Sequence, residues 1–235
     1  MSKEIEDIGN ILVGGVGYDL LKVSARETFQ KIRTTVSNQI ELVKRQLFFL
    51  GAGIDYQPFA AALSKEVSPF LDGGNYELES PNRVDQLEIL SRGLLEEEAE
   101  IMQLWARLYA GSFFERREFL RAVVHGLKML NHFDAEIFGR IYDVSFGEIP
   151  EKLMGASKLD SEKYTVFSMD GWMEFVGNDR PFTSKDMVQI SVHSIFRAGF
   201  VDSRFYMNNK GGQLDSFTLS PLGAEAGKYL MEVAE

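Results

Sequence analysis

Histidine and glutamate side chains offer the chain's best candidate for metal chemistry. His125 and His132 are seven residues apart, and Glu136 follows four residues after His132. On one continuous helix these three side chains would share a face and present two imidazoles and a carboxylate to a metal ion. The run Asn131–Asp134 is instead typical of a turn followed by a helix N-cap, which would break that face. A metal-dependent enzyme built on this trio is therefore the third functional interpretation, and structural histidines are the ordinary one.

Other catalytic patterns are incomplete in this chain. The glycines at positions 14, 15 and 17 lack the Gly-Lys-Ser/Thr ending of a phosphate loop and the third glycine of a dinucleotide fingerprint. Glu96, Glu97 and Glu98 could imitate an acid–base pair, but consecutive residues point in different directions around a helix. Such a run is typical of a solvated helix start, where carboxylates favour the helix dipole. We therefore expect a protein that is not an enzyme, with no cofactor, metal or catalytic residue.

Composition narrows the class of partner. With 25 basic and 35 acidic side chains the formal charge is -10, which disfavours nucleic acid unless a local basic patch outweighs it. Cysteine is absent, so thiolate sites and disulfides are excluded and a reducing cytoplasm is expected. The most apolar run, Ile8–Leu21, is shorter than the roughly 20 residues of a membrane-spanning helix and is interrupted by Asn10 and Asp19. The sequence predicts a cytoplasmic protein without a membrane span.

The elements that would position any site are mainly helices. One long helix is predicted over Tyr18–Leu50, because apolar residues recur there in steps of three and four. Part of its stripe approaches a heptad seam, at Val36, Ile40, Val43 and Leu47. Packing of this seam against the rest of the chain is the ordinary interpretation, and self-association through it is the alternative. Helical patterns continue to about residue 144, which predicts a helical body over residues 1–145.

The C-terminal part of the chain changes character. A helix is predicted over Ser184–Ala198, and a β-prone segment follows Gly199. Asn208–Gly212 is a hairpin-turn signal between two strands, and Pro221 begins a last helix. Helix, two-stranded ribbon and helix form the second half of a winged helix. Residues 160–235 are therefore predicted to be a winged-helix-like unit that carries a two-stranded β-hairpin.

A winged helix raises DNA binding as an alternative function, because one of its helices can enter the major groove while basic side chains hold phosphates. The candidate contact residues lie on the predicted helix and wing, at Lys185, Gln189, His193, Arg197, Arg204 and Lys210. Asp186, Asp202 and Asp215 dilute this patch, whereas DNA readers show a denser basic surface. Protein contact is therefore the favoured use of this unit, and a DNA-binding regulator is the alternative.

Short motifs in two stretches of the chain carry a resemblance to a known family. They are, in chain order, Leu104-Trp105-Ala106, Leu130 with Asp134-Ala135, and Leu219 with Pro221 and Gly223. In that order the chain resembles the abortive-infection alpha family and its uncharacterised bacterial relatives. The resemblance implies a bacterial protein linked to phage defence and supplies no catalytic residues. We therefore expect a mainly α, non-enzymatic protein that acts through a protein partner or as a homo-oligomer.

Overall fold

The computed structural model describes residues 23–48, 55–72, 83–113, 119–147, 157–159, 165–179, 184–202 and 216–231. Over these residues the chain is mainly helical with a small antiparallel sheet, which confirms the predicted fold class. Two compact units are present: an N-terminal unit of residues 1–118 with 232–235, and a C-terminal unit of residues 119–231. Within the described ranges, no helix is both long enough and apolar enough to cross a membrane.

Four helices make up the described part of the N-terminal unit. They are α1 (Val23–Phe48), α2 (Gln57–Asp72), α3 (Arg83–Leu95) and α4 (Ala99–Gly111). Helix α4 packs against both α2 and α3, and α1 also contacts α2 and α3. Trp105 and Tyr109 of α4 are buried, with Trp105 only 2% exposed. Large aromatic rings contribute most of the buried area of a small core, so Trp105 anchors the packing of this unit.

The apolar stripe of α1 faces the core of the N-terminal unit. Val36 and Val43 are fully buried and Ile40 is 2% exposed, while the side chain of Leu47 lies outside the described residues. This burial fits the packing interpretation of the stripe. Self-association through the stripe stays a prediction, and three of its four side chains are buried within their own unit.

A buried polar network joins three helices of the same unit. The Tyr109 hydroxyl donates to Gln39 Oε1 at 2.6 Å, and Gln39 Nε2 donates to Gln86 Oε1 at 2.8 Å. Gln86 Nε2 then donates to Ser112 Oγ at 3.0 Å, and Ser112 donates back to the Tyr109 carbonyl at 2.6 Å. Because buried polar groups are costly unless they are bonded, this network favours one alignment of α1, α3 and α4.

An ion pair links α2 to α4. Arg107 Nε donates to Glu66 Oε2 at 2.8 Å, and its Nη2 donates to Glu66 Oε1 at 3.2 Å. Gln103 Nε2 adds a third hydrogen bond to Glu66 Oε1 at 2.9 Å. The planar guanidinium matches the carboxylate with two bonds, a geometry that a lysine cannot reproduce.

The C-terminal unit contains five helices and four strands among its described residues. They are α5 (Leu120–Leu127), α6 (His132–Phe146), β1 (Ser157–Leu159), β2 (Thr165–Ser168), α7 (Met169–Asp179), α8 (Lys185–Arg197), β3 (Val201–Asp202), β4 (Ser216–Leu219) and α9 (Pro221–Leu230). The strand order is β1-β2-β4-β3, and every neighbouring pair is antiparallel. Rings of Phe167, Trp172 and Phe217 pack together on this sheet, with centroids 5.3 to 5.8 Å apart.

The boundary between the two units differs from the division expected from the sequence. That division placed α5 and α6 in a helical body ending near residue 145, whereas the compact units divide between Glu118 and Phe119. Helix α9 packs on α5 and α6, and α6 also packs on α8. Phe138 of α6 stacks on Phe200 with ring centroids 4.9 Å apart. A break in chain pattern near residue 145 therefore does not coincide with a break in the core.

Two close backbone approaches hold α8 and α9 at the sheet. Gly199, with φ +80°, ends α8, and Phe200 donates its N–H to the Ile195 carbonyl at 3.1 Å in a Schellman arrangement. Ser220 donates its hydroxyl to the Gly199 carbonyl at 2.6 Å and accepts the Gly223 N–H at 2.8 Å as the N-cap of α9. A Cβ at Gly223 would overlap the Phe200 carbonyl oxygen, so only glycine allows this contact.

Candidate contact surface

Helix α8 begins at a capped N-terminus and has distinct buried and exposed faces. Ser184 caps its N-terminus by accepting the Met187 N–H at 3.2 Å. Its inward face is buried in the C-terminal unit through Val188, Ser191, Val192 and Ile195. Since these residues recur in steps of three and four, the opposite side of the helix must face outward over its whole length.

The outward face is a strip of four residues, Asp186, Ile190, His193 and Arg197, which we call the α8 strip. Their spacing of four, three and four is that of one seam of a helix over three turns. Ile190 is 65% exposed at its middle, whereas His193 is half-buried. Asp186 and Arg197 are exposed at the two ends, and neither forms an ion pair with another described residue.

Apolar side chains widen the outward surface on both flanks of the strip. Met187 is 50% exposed and Phe196 is 37% exposed. Together with Ile190 they give α8 three large hydrophobic residues that are exposed.

The basic candidates for DNA contact are only partly gathered. Lys185 and Arg197 are exposed at opposite ends of α8, with Gln189 and His193 half-buried between them. Arg204 and Lys210 lie outside the described residues. Asp186 is exposed directly after Lys185 at the start of the helix, and Asp202 is exposed on β3 just beyond its end. The described surface of α8 is therefore mixed in charge rather than basic.

The predicted metal trio is not assembled. His125 is exposed near the end of α5, while His132 is the first residue of α6. Asn131 caps α6 with a capping box, as the sequence predicts, because its side chain accepts the Asp134 N–H at 2.9 Å. Glu136 lies 3.3 Å from Arg140 in an ion pair along the same helix. Among the described residues no group of three His, Asp or Glu side chains could hold a metal.

Asp134 is the carboxyl group whose environment is most unusual in this unit. It is 3% exposed, and its Oδ2 accepts the Asn131 N–H at 3.2 Å. Burial raises the pKa of Asp134 above its ordinary value, and the bond from the Asn131 backbone opposes that rise. Since the carboxyl completes the capping box, its role in the fold is to start α6.

A shallow groove of about 570 Å³ lies in the N-terminal unit, between α2 and the turn from α3 to α4. Asp55, Lys65, Glu96 and Glu97 line it together with apolar side chains. Glu96 Oε1 accepts the N–H groups of Glu97 and Glu98 at 3.1 and 3.2 Å. The glutamate run thus organises the turn before α4, which agrees with a solvated helix start.

Tyr109 is buried without exposure, and burial raises its pKa well above the ordinary range for tyrosine. Its hydroxyl therefore stays protonated and serves as a hydrogen-bond donor to Gln39. Neither Tyr109 nor its network opens onto the groove residues named above, so its contribution is structural.

No protein-family model, curated protein or solved structure matches this chain. Of the eight large hydrophobic side chains that are exposed among the described residues, α8 carries three.

Proposed function

We propose that this chain is a non-enzymatic protein-contact protein whose C-terminal unit is a winged-helix-like module and whose contacting element is α8. The observation that carries the proposal is the exposure of Met187, Ile190 and Phe196 on a helix whose other face is fully packed. Exposed hydrophobic residues gathered on one element are typical of surfaces that other proteins cover.

The order of elements supports the winged-helix interpretation of this unit. After α6 and the short strand β1, the order is β2, α7, α8, β3 and β4, and β2 pairs with β4, which pairs with β3. A winged helix has this order of helices and strands, with the first strand beside the last. In the DNA-binding members of such modules the second helix of the helix-turn-helix pair is the outward-facing one that enters the major groove. Here that helix is α8.

Charge favours protein over DNA as the partner. The strip places a carboxylate at Asp186 and a hydrocarbon side chain at Ile190, where a DNA-reading helix would offer cationic or amide groups. The net charge of -10 adds repulsion from phosphate at longer range. The alternative, a DNA-binding regulator, is supported by the exposure of Lys185 and Arg197.

The biological setting is proposed from the resemblance to the abortive-infection alpha family. The residues that carry it are structural in this fold: Trp105 is a core anchor, and Gly223 allows a close approach of α9 to Phe200. They support a shared scaffold, and we propose an antiphage role in the bacterial cytoplasm on that basis. Absence of cysteine is compatible with such a compartment.

Site-specific photocrosslinking tests the proposal directly. Benzoylphenylalanine at position 190 should form a covalent adduct with a polypeptide, identified by mass spectrometry after irradiation of intact cells. The matched control places the same group at Glu27, an exposed residue of α1 in the N-terminal unit. Adducts at 190 and none at 27 are expected. Equal yields at both positions, or none at 190, would count against α8 as a contact surface.

A further inference from the structure

We propose that the α8 strip is occupied by the α8 strip of a second copy of this chain, with the two helices antiparallel about a two-fold axis. This inference rests on the proposed function and names its partner. Its basis is charge complementarity: when a second copy of the strip runs in the opposite direction, the acidic end of each strip lies beside the basic end of the other. The midpoint of the strip lies between Ser191 and Val192. Ile190 lies one residue before Ser191, and His193 lies one residue after Val192. Asp186 likewise lies five residues before Ser191, and Arg197 lies five residues after Val192.

An antiparallel arrangement converts these equal distances into contacts. Residues at equal distance on either side of the axis face one another across the interface, so Asp186 faces the second copy's Arg197, and Arg197 faces its Asp186. Both ion pairs arise from a single symmetry operation. Ile190 likewise faces the second copy's His193 in the two central layers. Where two helices pack along a seam, the contacting residues of each helix recur in alternating steps of three and four. The strip has this spacing, with steps of four, three and four.

Charge is the decisive feature. Lining up the same helices in parallel would place Asp186 beside Asp186 and Arg197 beside Arg197, and both contacts would repel. The antiparallel pairing instead provides a partner for each of the exposed end charges, which have none among the described residues. Ile190, 65% exposed in the isolated chain, becomes covered at the centre.

The size of the strip sets the expected strength of the dimer. Twelve residues of helix extend about 16 Å, which gives less contact than the roughly 1,200 Å² of a small stable interface. We therefore expect a weak, concentration-dependent dimer unless neighbouring surfaces add to it.

Charge reversal on the full-length chain tests the pairing. Asp186→Arg and Arg197→Asp, measured separately by sedimentation equilibrium, should each weaken self-association at least about tenfold, because each creates two repulsive contacts. An equimolar mixture of the two variants should regain association, since every facing pair then joins an arginine to an aspartate. The double variant Asp186→Arg/Arg197→Asp should also recover it.

The matched control is Lys185→Glu, which makes the same charge change as Arg197→Asp on the same helix but outside the strip. It should leave self-association unchanged. Recovery in the mixture also shows that the single variants are folded. A monomeric wild type at all concentrations, or single reversals that associate as well as wild type, would overturn the inference. So would a mixture that gains nothing.

Failure of this inference is distinguishable from failure of the proposed function. If position 190 crosslinks to a different protein while the chain stays monomeric, the second copy is excluded and α8 remains a protein-contact surface. If position 190 forms no protein adduct, the proposed function itself fails.

Discussion

Tyr109 and Gln39 are 70 residues apart in sequence and meet in the core of the N-terminal unit, where the tyrosine hydroxyl donates to the amide oxygen at 2.6 Å. Both side chains are buried, with Gln39 at 4% exposure. Removing one partner of a buried hydrogen bond costs more stability than replacing both partners with apolar groups, because the remaining polar group is left unpaired. This contact therefore ties the position of α1 to that of α4.

Removal of the Tyr109 hydroxyl should destabilise the N-terminal unit. Tyr109→Phe keeps the ring but leaves Gln39 Oε1 without its donor, which is expected to cost about 1–3 kcal/mol in the free energy of unfolding. Urea denaturation followed by tryptophan fluorescence measures the change. Ser91→Ala is the control, because that hydroxyl donates only to the Leu87 carbonyl within α3. Equal stability of Tyr109→Phe and wild type would show that the network does not align the helices.

Replacing Arg107 by lysine should weaken the contact between α2 and α4. The lysine keeps the charge but loses the two-bond geometry with Glu66, so we expect a loss of about 1 kcal/mol in the free energy of unfolding. Arg140→Lys provides the comparison, since its pair with Glu136 is more exposed and lies along one helix. That change should cost only a few tenths of a kcal/mol. The prediction is wrong if the two substitutions cost the same.

Gly223 and Gly139 should respond in opposite ways to alanine. Gly223→Ala would drive a methyl group into the Phe200 carbonyl and is expected to destabilise the C-terminal unit by more than about 2 kcal/mol. At Gly139, inside α6, the nearest atoms to an added Cβ are those of Met231 at 3.5 Å, an ordinary contact. Gly139→Ala should therefore stabilise the helix by about 0.5–1 kcal/mol. Thermal unfolding of both variants can be followed by circular dichroism. A Gly223→Ala variant that melted like wild type would contradict the close contact with Phe200.

The pH dependence of stability should carry the signature of Asp134. Its pKa in the folded state is raised above 3.8, so the folded chain binds the proton more tightly than the unfolded chain. This contribution to stability is fully present below pH 3.8 and is lost as the pH rises through the folded-state pKa. Asp134→Asn removes the titration while its amide oxygen can still accept the Asn131 N–H.

Asp134→Asn should therefore gain stability relative to wild type as the pH rises from 3.8 through the pKa of Asp134 in the folded state. Urea titrations of both proteins at matched pH values give the difference directly. A difference that is independent of pH, or one that grows toward acid, would contradict the raised pKa.

Helical periodicity predicts much of this fold, but not its long-range contacts. Val36, Ile40 and Val43 are recognisable as a buried stripe because they recur at the helical period. The bond between Gln39 and Gln86 spans 47 residues and leaves no local signal in the sequence. Strands β1 and β2 were missed because runs of three and four residues are too short to show alternation.

The position of the proposed contact helix α8 was predictable from the sequence, but the chemistry of its exposed face was not. Sequence analysis selected α8 through Lys185, Gln189, His193 and Arg197. The exposure of Ile190 depends on which side of the helix the core covers, and that is decided by β3, α6 and α7 packing against it. A pattern of apolar residues alone does not distinguish the covered side from the open one.

The most direct test of α8 as a protein-contact surface rather than a DNA-reading helix is an anisotropy titration of labelled duplex DNA. Full-length protein would be added at low and at near-physiological salt, alongside a Lys185→Ala/Arg197→Ala variant. We predict no saturable binding even at low salt, because Asp186, Ile190 and the net charge of -10 oppose a phosphate backbone. Saturable binding that survives higher salt and disappears in the variant would contradict the proposal and identify a DNA-binding regulator.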